Sequence, residues 1–219
     1  NYDLTYQKLK LKNRNSSIIP GSGVNIKKFE YREPRKSDKV VFNFIGRILE
    51  EKGIQEYLEV AKLISIKYSN VEFRIFVFVE NTDKKYKNMI EIYENLGYVR
   101  YFGERDNIIP YIRESDAIIH PTKYGEGMSN VLLETAATGR ACLASNIFGC
   151  KEIIDDNKTG FLFNPGDIND IVLKVENFLE LSEYARTDMG IKGRRKVENI
   201  FSREIVVNEY IKKIRECLL

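Results

Sequence analysis

Residues 40–67 have the sequence VVFNFIGRILEEKGIQEYLEVAKLISIK. The first six of these residues are rich in β-branched and aromatic side chains, which predicts a buried strand. From residue 54 onward, apolar residues recur near the spacing of a helix that buries one face. A loop that begins at Gly46 and ends at Gly53 lies between the two. The stretch therefore predicts a strand, a loop and a helix in succession, the start of a βαβ unit.

The same alternation continues to the end of the chain. Strands are predicted at residues 71–79, 99–102, 117–120, 141–145 and 160–163, and helices at residues 84–96, 107–114, 129–137, 150–154, 168–181, 184–198 and 204–217. Strands that alternate with helices form a parallel sheet through crossover connections. We therefore expect an α/β fold, a Rossmann-like open parallel sheet with helices on both faces. In such a sheet, ligands bind beyond the carboxyl ends of the strands.

The composition excludes several classes of protein. Of the 219 residues, 43% are hydrophobic and 31% are charged, which is ordinary for a globular domain and not for a disordered chain. A net charge of +3 provides no excess of positive charge for binding nucleic acid. Three scattered cysteines are too few for a disulfide framework, and the apolar runs are too short to span a membrane. With no signal peptide in the sequence, we expect a cytoplasmic protein.

The loop after the first predicted strand, residues 46–53, has the features of a diphosphate site. Gly46 is expected to turn the chain sharply where the strand ends. Arg47 offers a planar fork for phosphate oxygens, and Lys52 adds a point charge near a helix N-terminus. The spacing is equally consistent with surface pairing of these two cations with Glu50 and Glu51.

A second loop, residues 124–134, follows the strand that ends at His120. Glu126 lies between two glycines, and a helix is predicted to begin near Ser129, where free N–H groups favour an anion. Glu134 lies roughly 7 Å further along that helix, at 1.5 Å per residue. The two carboxylates would then stand on either side of an anion and could bind sugar and ribose hydroxyls. The alternatives are a loop acid at 126 and a surface acid at 134, although Glu134 follows an apolar run in which an uncompensated charge would be costly.

Other segments are weaker candidates. The glycine-rich turn at residues 20–25 is as consistent with a plain turn as with a ligand contact. Residues 148–152 also follow a strand and could line a pocket. His120, the only histidine, ends a strand, where a packed residue is more common than a catalytic base. Residues 155–157 lack the DxD pattern and no cluster has metal-ligand spacing, so no metal is expected.

Taken together, these loops resemble the C-terminal, donor-binding domain of the retaining GT-B glycosyltransferases of group 1 (glycosyltransferase family 4). The resemblance extends from about residue 17 to the end of the chain. Its motifs are Gly46-Arg47 with Lys52-Gly53, the pair Glu126 and Glu134, residues 20–25, and Gly149, Glu152 and Gly160-Phe161. Two departures occur in one loop: Asn25 replaces the family's usual acid, and Gly21-Ser22 replaces the commoner asparagine before Gly23.

The resemblance implies a role for each matching position. Arg47 and Lys52 would neutralise the diphosphate as it leaves, Glu126 would contact the transferred sugar, and Glu134 the ribose. Arg105 falls where such domains often meet the nucleotide base. The family works without a metal or other cofactor and retains the anomeric configuration. The implied catalytic residues are Arg47, Lys52 and Glu126, and the implied donor-binding residues are Gly23, Arg47, Lys52, Arg105, Glu126, Gly127, Met128, Ser129, Asn130 and Glu134.

The resemblance also implies a domain organisation and a function. Residues 1–16 would be the end of an N-terminal domain or a linker, residues 17–200 the nucleotide-sugar-binding domain, and residues 201–219 a C-terminal helix. The enzyme would transfer a hexose, most commonly from a UDP-sugar, to a polysaccharide or lipid-linked acceptor held by the N-terminal domain. It would work in the cytoplasm, at the inner face of the membrane.

The chain alone would bind donor weakly and transfer little or nothing. Two alternatives remain open at this stage: a non-hydrolysing sugar epimerase of the same fold, and a nucleotide-binding module without catalysis. A phosphorylase would need a pyridoxal lysine, for which the sequence offers no context.

Overall fold

The computed structural model describes residues 21–78, 84–125 and 127–218. Within these ranges the strands are β1 (Val40–Arg47), β2 (Val71–Phe78), β3 (Arg100–Gly103), β4 (Ala117–His120), β5 (Ala141–Ser145) and β6 (Gly160–Phe163). The helices are α1 (Ile54–Lys67), α2 (Lys84–Asn95), α3 (Ile109–Glu114), α4 (Asn130–Ala137), α5 (Ile168–Glu180), α6 (Glu183–Ile200) and α7 (Arg203–Leu218), and a short 3₁₀ helix spans Glu50–Lys52.

The strands form one six-stranded sheet in the order β3-β2-β1-β4-β5-β6. Every neighbouring pair is parallel. The chain builds outward from β1 to β3, returns to the centre, and then builds outward in the other direction from β4. The strand order therefore reverses between β1 and β4, and in open α/β sheets the ligand crevice lies at this switch point.

The core lies in two layers, one on each face of the sheet. Side chains alternate between the faces along each strand, so Phe42 and Phe44 of β1 belong to one apolar cluster and Ile45 to the other. Helices α1 and α5 cover the first face, and α4 and α6 cover the second. Asn43 is fully buried on the second face, where its Nδ2 donates to Tyr111 O at 2.9 Å. The expected Rossmann-like α/β fold with helices on both faces is confirmed.

The bounds of three strands, at residues 117–120, 141–145 and 160–163, agree with the sequence prediction. Two local predictions are wrong. Strand β1 continues through Gly46 and Arg47, so the chain does not turn at Gly46. Residues 150–153 form consecutive turns instead of a helix, and Glu152 Oε2 accepts from Gly149 N–H at 2.7 Å beside them. Most other ends shift by one or two residues, as helix and strand ends commonly do.

The beginning of the described chain contacts the junction between α6 and α7. Val24 N–H donates to Phe201 O and Arg203 N–H donates to Val24 O, both at 2.9 Å, so residues near 24 are tied to the start of α7. Residues 1–16, predicted as a linker or the end of another domain, lie outside the described residues. The predicted boundary at residue 200 stays a prediction. Among the described helices, none combines the length and the apolar character needed to cross a membrane.

Candidate functional site

The loops after β1 and β4 meet at the switch point of the sheet. Lys123 N–H and Thr122 Oγ1 both donate to Glu51 O, at 2.7 and 3.1 Å. Gly53 has φ 74°, and a Cβ at that position would lie 2.1 Å from Pro121 O. Only glycine fits there, for both its backbone conformation and its space. The two loops therefore form one connected surface beyond the carboxyl ends of the central strands.

Arg47 and Lys52, the predicted diphosphate ligands, lie on the first of these loops. Arg47 is the exposed last residue of β1, and Lys52 is the half-buried last residue of the 3₁₀ helix. Gly53 follows as the N-cap of α1, so no side chain caps that helix. The backbone before Arg47 is open, since a Cβ added at Gly46 would meet only Phe44 Cε1, at 3.9 Å. A ligand can approach a strand closely at such a glycine.

Two acids near these cations, Glu50 and Glu56, contact other side chains. Glu50 Oε2 accepts from the hydroxyl of Tyr86 at 3.2 Å, and its other oxygen lies 3.8 Å from Lys123 Nζ. Lys123 also pairs with Glu56 at 3.0 Å. Lys123 thus lies close to both acids, and the sequence interpretation did not single it out. Its neighbour Thr122 was also missed, although both lie within three residues of the predicted strand end.

Helix α4 begins on the second loop, with Ser129 as its N-cap. The sequence prediction placed the Ser129 amide against an anion, and this is wrong, because that amide donates to Gly149 O at 3.1 Å. The Ser129 hydroxyl lies 3.3 Å from His120 Nε2, inside the protein. The first-turn amides of α4 begin at Asn130, and they lack a carbonyl one turn earlier in the helix. These amides are the anion-binding groups that the fold offers here.

The glycine-rich turn lies against the start of α4. Ser22 Oγ donates to Asn130 Oδ1 at 3.1 Å, and a Cβ at Gly21 would come within 2.7 Å of the Met128 side chain. Gly23 was predicted to bind donor, yet it packs on α7, where a Cβ would lie 2.9 Å from Arg203 Cα. The structure therefore brings residues 21–22 to the site and gives Gly23 a packing contact. Pro20, the first residue of the predicted motif, lies outside the described residues.

The second predicted carboxylate stands on α4 just over one turn from its start. Glu134 is half-buried on a helix whose neighbouring residues Leu132 and Leu133 are fully buried. Burial raises the pKa of the Glu134 carboxyl, against the lowering effect of the positive charges of Lys28 and Arg203. Glu126, the first predicted carboxylate, lies outside the described residues. Next to it, a Cβ added at Gly127 would meet nothing within 4 Å.

Arg105 lies at the same edge of the sheet, in the loop after β3. It is exposed, its Nε donates to the Tyr111 hydroxyl at 3.1 Å, and its guanidinium lies 5.9 Å from the centre of that ring. Tyr111 in turn packs on Phe76 with ring centres 4.7 Å apart. Because β2 separates β3 from β1, Arg105 stands two strands away from Arg47.

Two cysteines lie among the buried residues of the described chain. Cys142 and Cys150 are buried free thiols, and burial raises the pKa of the Cys142 thiol far above its usual range. Within residues 21–78, 84–125 and 127–218, no group of three or more histidine, cysteine, aspartate or glutamate side chains is arranged to hold a metal ion.

The family model and the known proteins that resemble this chain all indicate one family. The model of the family described as "Glycosyl transferases group 1" matches residues 25–196. The capsular polysaccharide biosynthesis glycosyltransferase CapM of Staphylococcus aureus is 27% identical over 176 residues, which cover 79% of this chain and 45% of CapM. A Campylobacter jejuni N,N'-diacetylbacillosaminyl-diphospho-undecaprenol α-1,3-N-acetylgalactosaminyltransferase is 27% identical over 216 residues, covering 93% of this chain and 55% of that enzyme. The chain therefore spans about half the length of these curated relatives.

Solved structures show the same fold. A glycosyltransferase from Rickettsia africae superposes with a TM-score of 0.82 at 21% identity, covering 99% of this chain and 62% of the other. Anabaena Alr3699/HepE in complex with UDP and glucose superposes with a TM-score of 0.76 at 15% identity, covering 88% and 55%. At these identities the likeness concerns the fold alone.

Proposed function

Because the chain belongs to the group 1 glycosyltransferases, we propose that it is the donor-binding part of an enzyme that transfers a hexose from a nucleotide diphosphate sugar to a polysaccharide or lipid-linked acceptor. One observation carries this proposal. The loops after β1 and β4 are in contact, and each leads into a helix whose N-cap residue makes no side-chain capping bond. Uncapped helix starts that flank a switch point suit a diphosphate.

The diphosphate would lie between the starts of α1 and α4. Arg47 and Lys52 approach it from the first loop, and the amides that begin at Asn130 approach it from the second. When the glycosidic bond breaks, negative charge accumulates on the leaving diphosphate. Fixed cations and helix N-termini stabilise that charge without having to reorganise. This arrangement supports transfer without a bound metal.

The sugar and the nucleoside would lie on opposite sides of the diphosphate. Glu134 has hydrogen-bonding capacity for the ribose, and Glu126 is proposed for the hexose on its sequence position. Arg105 and Tyr111 form a planar cation and ring at the same edge of the sheet, a surface suited to a nucleotide base. Retention of anomeric configuration is part of the proposal and follows from the family resemblance.

The names of relatives support a particular donor and acceptor. One relative, 29% identical over 171 residues, is an Escherichia coli UDP-Gal:α-D-GlcNAc-diphosphoundecaprenol α-1,3-galactosyltransferase. Its donor is a UDP-sugar and its acceptor is linked to a lipid. We extend both to this protein, together with activity at the cytoplasmic face of a membrane. The chain alone is expected to bind donor weakly and transfer little sugar, with the acceptor held by residues outside this sequence.

Calorimetric titration of the chain with UDP, GDP and ADP tests the donor site. Arg47→Ala, Lys52→Ala and Glu134→Ala should each weaken binding of the preferred nucleotide by about tenfold or more, since a charged hydrogen bond contributes about 1.5–3 kcal/mol. Lys67→Ala is the matched control. It removes an exposed lysine at the opposite end of α1, where the side chain bonds Glu176, and it should leave affinity unchanged.

Two outcomes would contradict the proposal. One is a wild-type chain that binds none of the three nucleotides at millimolar concentration. The other is an equal loss of affinity in Lys67→Ala and in the three site variants, which would indicate a general effect of charge.

A further inference from the structure

The N-cap of α4 behaves differently from those of α5 and α6, two other helices of the described residues that begin with a serine or an aspartate. Asp167 accepts from Asp170 N–H at 3.1 Å at the start of α5, and Ser182 accepts from Ala185 N–H at 3.2 Å at the start of α6. A serine N-cap normally binds an amide of the first turn in this way. Ser129 has the extended backbone of an N-cap (φ −71°, ψ 106°), yet its side chain makes no capping bond.

The reason is a buried contact with the end of the neighbouring strand. Ser129 Oγ lies 3.3 Å from His120 Nε2, and the two residues are only 2% and 4% exposed. His120 is the last residue of β4, so the sheet fixes the position of its backbone. Ser129 is also held from the other side, because its amide donates to Gly149 O at 3.1 Å.

We propose that His120 is a positioning residue that keeps the Ser129 hydroxyl away from the first turn of α4, so that the amides of that turn remain available to the donor's phosphate. A hydroxyl that capped the turn would occupy one of those amides and would place its oxygen where a phosphate oxygen has to bind. The inference rests on the proposed donor site and adds a residue that the contacts with donor alone would not identify.

Three variants separate this role from simple packing. His120→Leu removes the partner of the hydroxyl while keeping an apolar side chain in the buried space. It frees Ser129 to cap, and UDP affinity should fall by roughly three- to tenfold, the worth of one competing hydrogen bond. His120→Gln retains a side-chain amide near the position of Nε2 and should bind UDP much as the wild type does. The double variant His120→Leu/Ser129→Ala has no hydroxyl to cap with, so its affinity should return toward that of the wild type.

Amide hydrogen exchange measured by NMR without nucleotide provides a second readout. In His120→Leu, capping by Ser129 should slow exchange at Val131 or Leu132, and in the double variant exchange should return to the wild-type rate. Thermal unfolding of each variant confirms that it is folded.

The outcomes distinguish the two proposals. Equal loss of affinity in the single and double variants, with unchanged exchange in both, would show that His120 only packs the core and would overturn this inference alone. Failure of the wild type to bind UDP would overturn the proposed function, whereas the exchange rates would still show whether His120 controls the cap.

Discussion

Glu134 stands half-buried on the apolar helix α4, where burial raises the pKa of its carboxyl and the positive charges of Lys28 and Arg203 lower it to a smaller extent. A carboxyl with a raised pKa binds its proton more tightly in the folded chain than in the unfolded chain. The ionised form therefore lowers the free energy of unfolding at neutral pH, and this loss disappears as the pH falls through the folded pKa. The ribose contact proposed for Glu134 would therefore come at a cost in stability.

We expect Glu134→Gln to raise the free energy of unfolding at pH 7, because glutamine removes the buried charge and nearly keeps the shape. The gain over the wild type should shrink as the pH is lowered toward 4.5, which urea unfolding at the two pH values can measure. The same variant should bind UDP at least tenfold more weakly, since it loses a charged hydrogen bond.

Glu216→Gln is the matched control for this stability prediction. Lys213 donates a hydrogen bond to Glu216 and lowers the pKa of its carboxyl, and the residue is exposed on α7. The stability that the ionised Glu216 contributes is present above the unfolded pKa and is lost as the pH falls. Glu216→Gln should therefore change the free energy of unfolding at pH 7 in the opposite direction to Glu134→Gln. A Glu134→Gln variant that is no more stable than the wild type at neutral pH would refute the interpretation.

Single residues also show where prediction from sequence stops. A serine at a helix start has the same sequence signature whether its hydroxyl caps the helix or turns away, and only the position of His120 decides between the two at Ser129. Gly46 was predicted to turn the chain, but a glycine in a strand is equally compatible with extended backbone. At Ser129 the deciding contact comes from a residue nine positions away in the sequence.

At the scale of single elements, α6 contains two buried glycines that differ in their surroundings. A Cβ at Gly190 would lie 2.1 Å from Gly139 O, a backbone atom, whereas a Cβ at Gly193 would have its nearest neighbour at 3.5 Å. We expect Gly190→Ala to lower the free energy of unfolding by about 1–3 kcal/mol through overpacking. Gly193→Ala should be neutral or should raise it by about 0.5–1 kcal/mol, because alanine favours helix.

Urea denaturation of Gly190→Ala and Gly193→Ala measures this difference directly. Both variants replace a helical glycine by alanine, so the change in helix propensity is the same in each. Equal stabilities would mean that α6 can move away from the connection before β5 at little cost. UDP affinity of folded Gly193→Ala should match the wild type, since α6 does not contribute to the loops after β1 and β4.

The connections between elements were the least predictable part of the fold. Arg140 is 1% exposed, and its guanidinium donates to Arg113 O at 2.7 Å and to Arg32 O at 2.8 Å. It thereby binds the end of α3 to the segment before β1. Sequence patterns favour a solvent-exposed position for an arginine beside a glycine, so nothing local indicates this role. The turns at residues 150–153 were missed for a similar reason, since the five residues predicted as a helix are too few for periodicity to separate a helix from a turn.

At the scale of the whole molecule, the fold class followed from the sequence because alternating strands and helices have few ways to bury their apolar faces. Strands β4 and β5 were located at their observed bounds, since their residues are buried on both faces and form nearly continuous apolar runs. The sequence predicted that the loops at residues 48–53 and 121–129 lie together only through the general rule that ligands bind beyond the carboxyl ends of parallel strands. Its hydrogen bonds, such as that from Lys123 N–H to Glu51 O, depend on the order of strands in the sheet.

The last prediction concerns stabilisation of the whole domain by nucleotide. UDP that binds only the folded chain stabilises it by RT ln(1 + [L]/Kd), about 2.7 kcal/mol at a hundredfold excess over Kd. Because Arg47, Lys52 and the helix starts supply the positive charge, the rise in the unfolding midpoint should be the same in EDTA as in magnesium. Arg47→Ala should reduce the rise, and Lys67→Ala should not.

A rise that requires magnesium would mean that the metal reaches the site with the nucleotide and that its charge does the work assigned to Arg47 and Lys52. The two situations also differ in their response to Lys52→Ala. If magnesium enters the site together with the diphosphate, the unfolding midpoint measured with UDP and magnesium should hardly change on Lys52→Ala. If Lys52 contacts the diphosphate directly, Lys52→Ala should reduce the UDP-induced rise in the unfolding midpoint equally in EDTA and in magnesium. This reduction should diminish as added salt screens the charge.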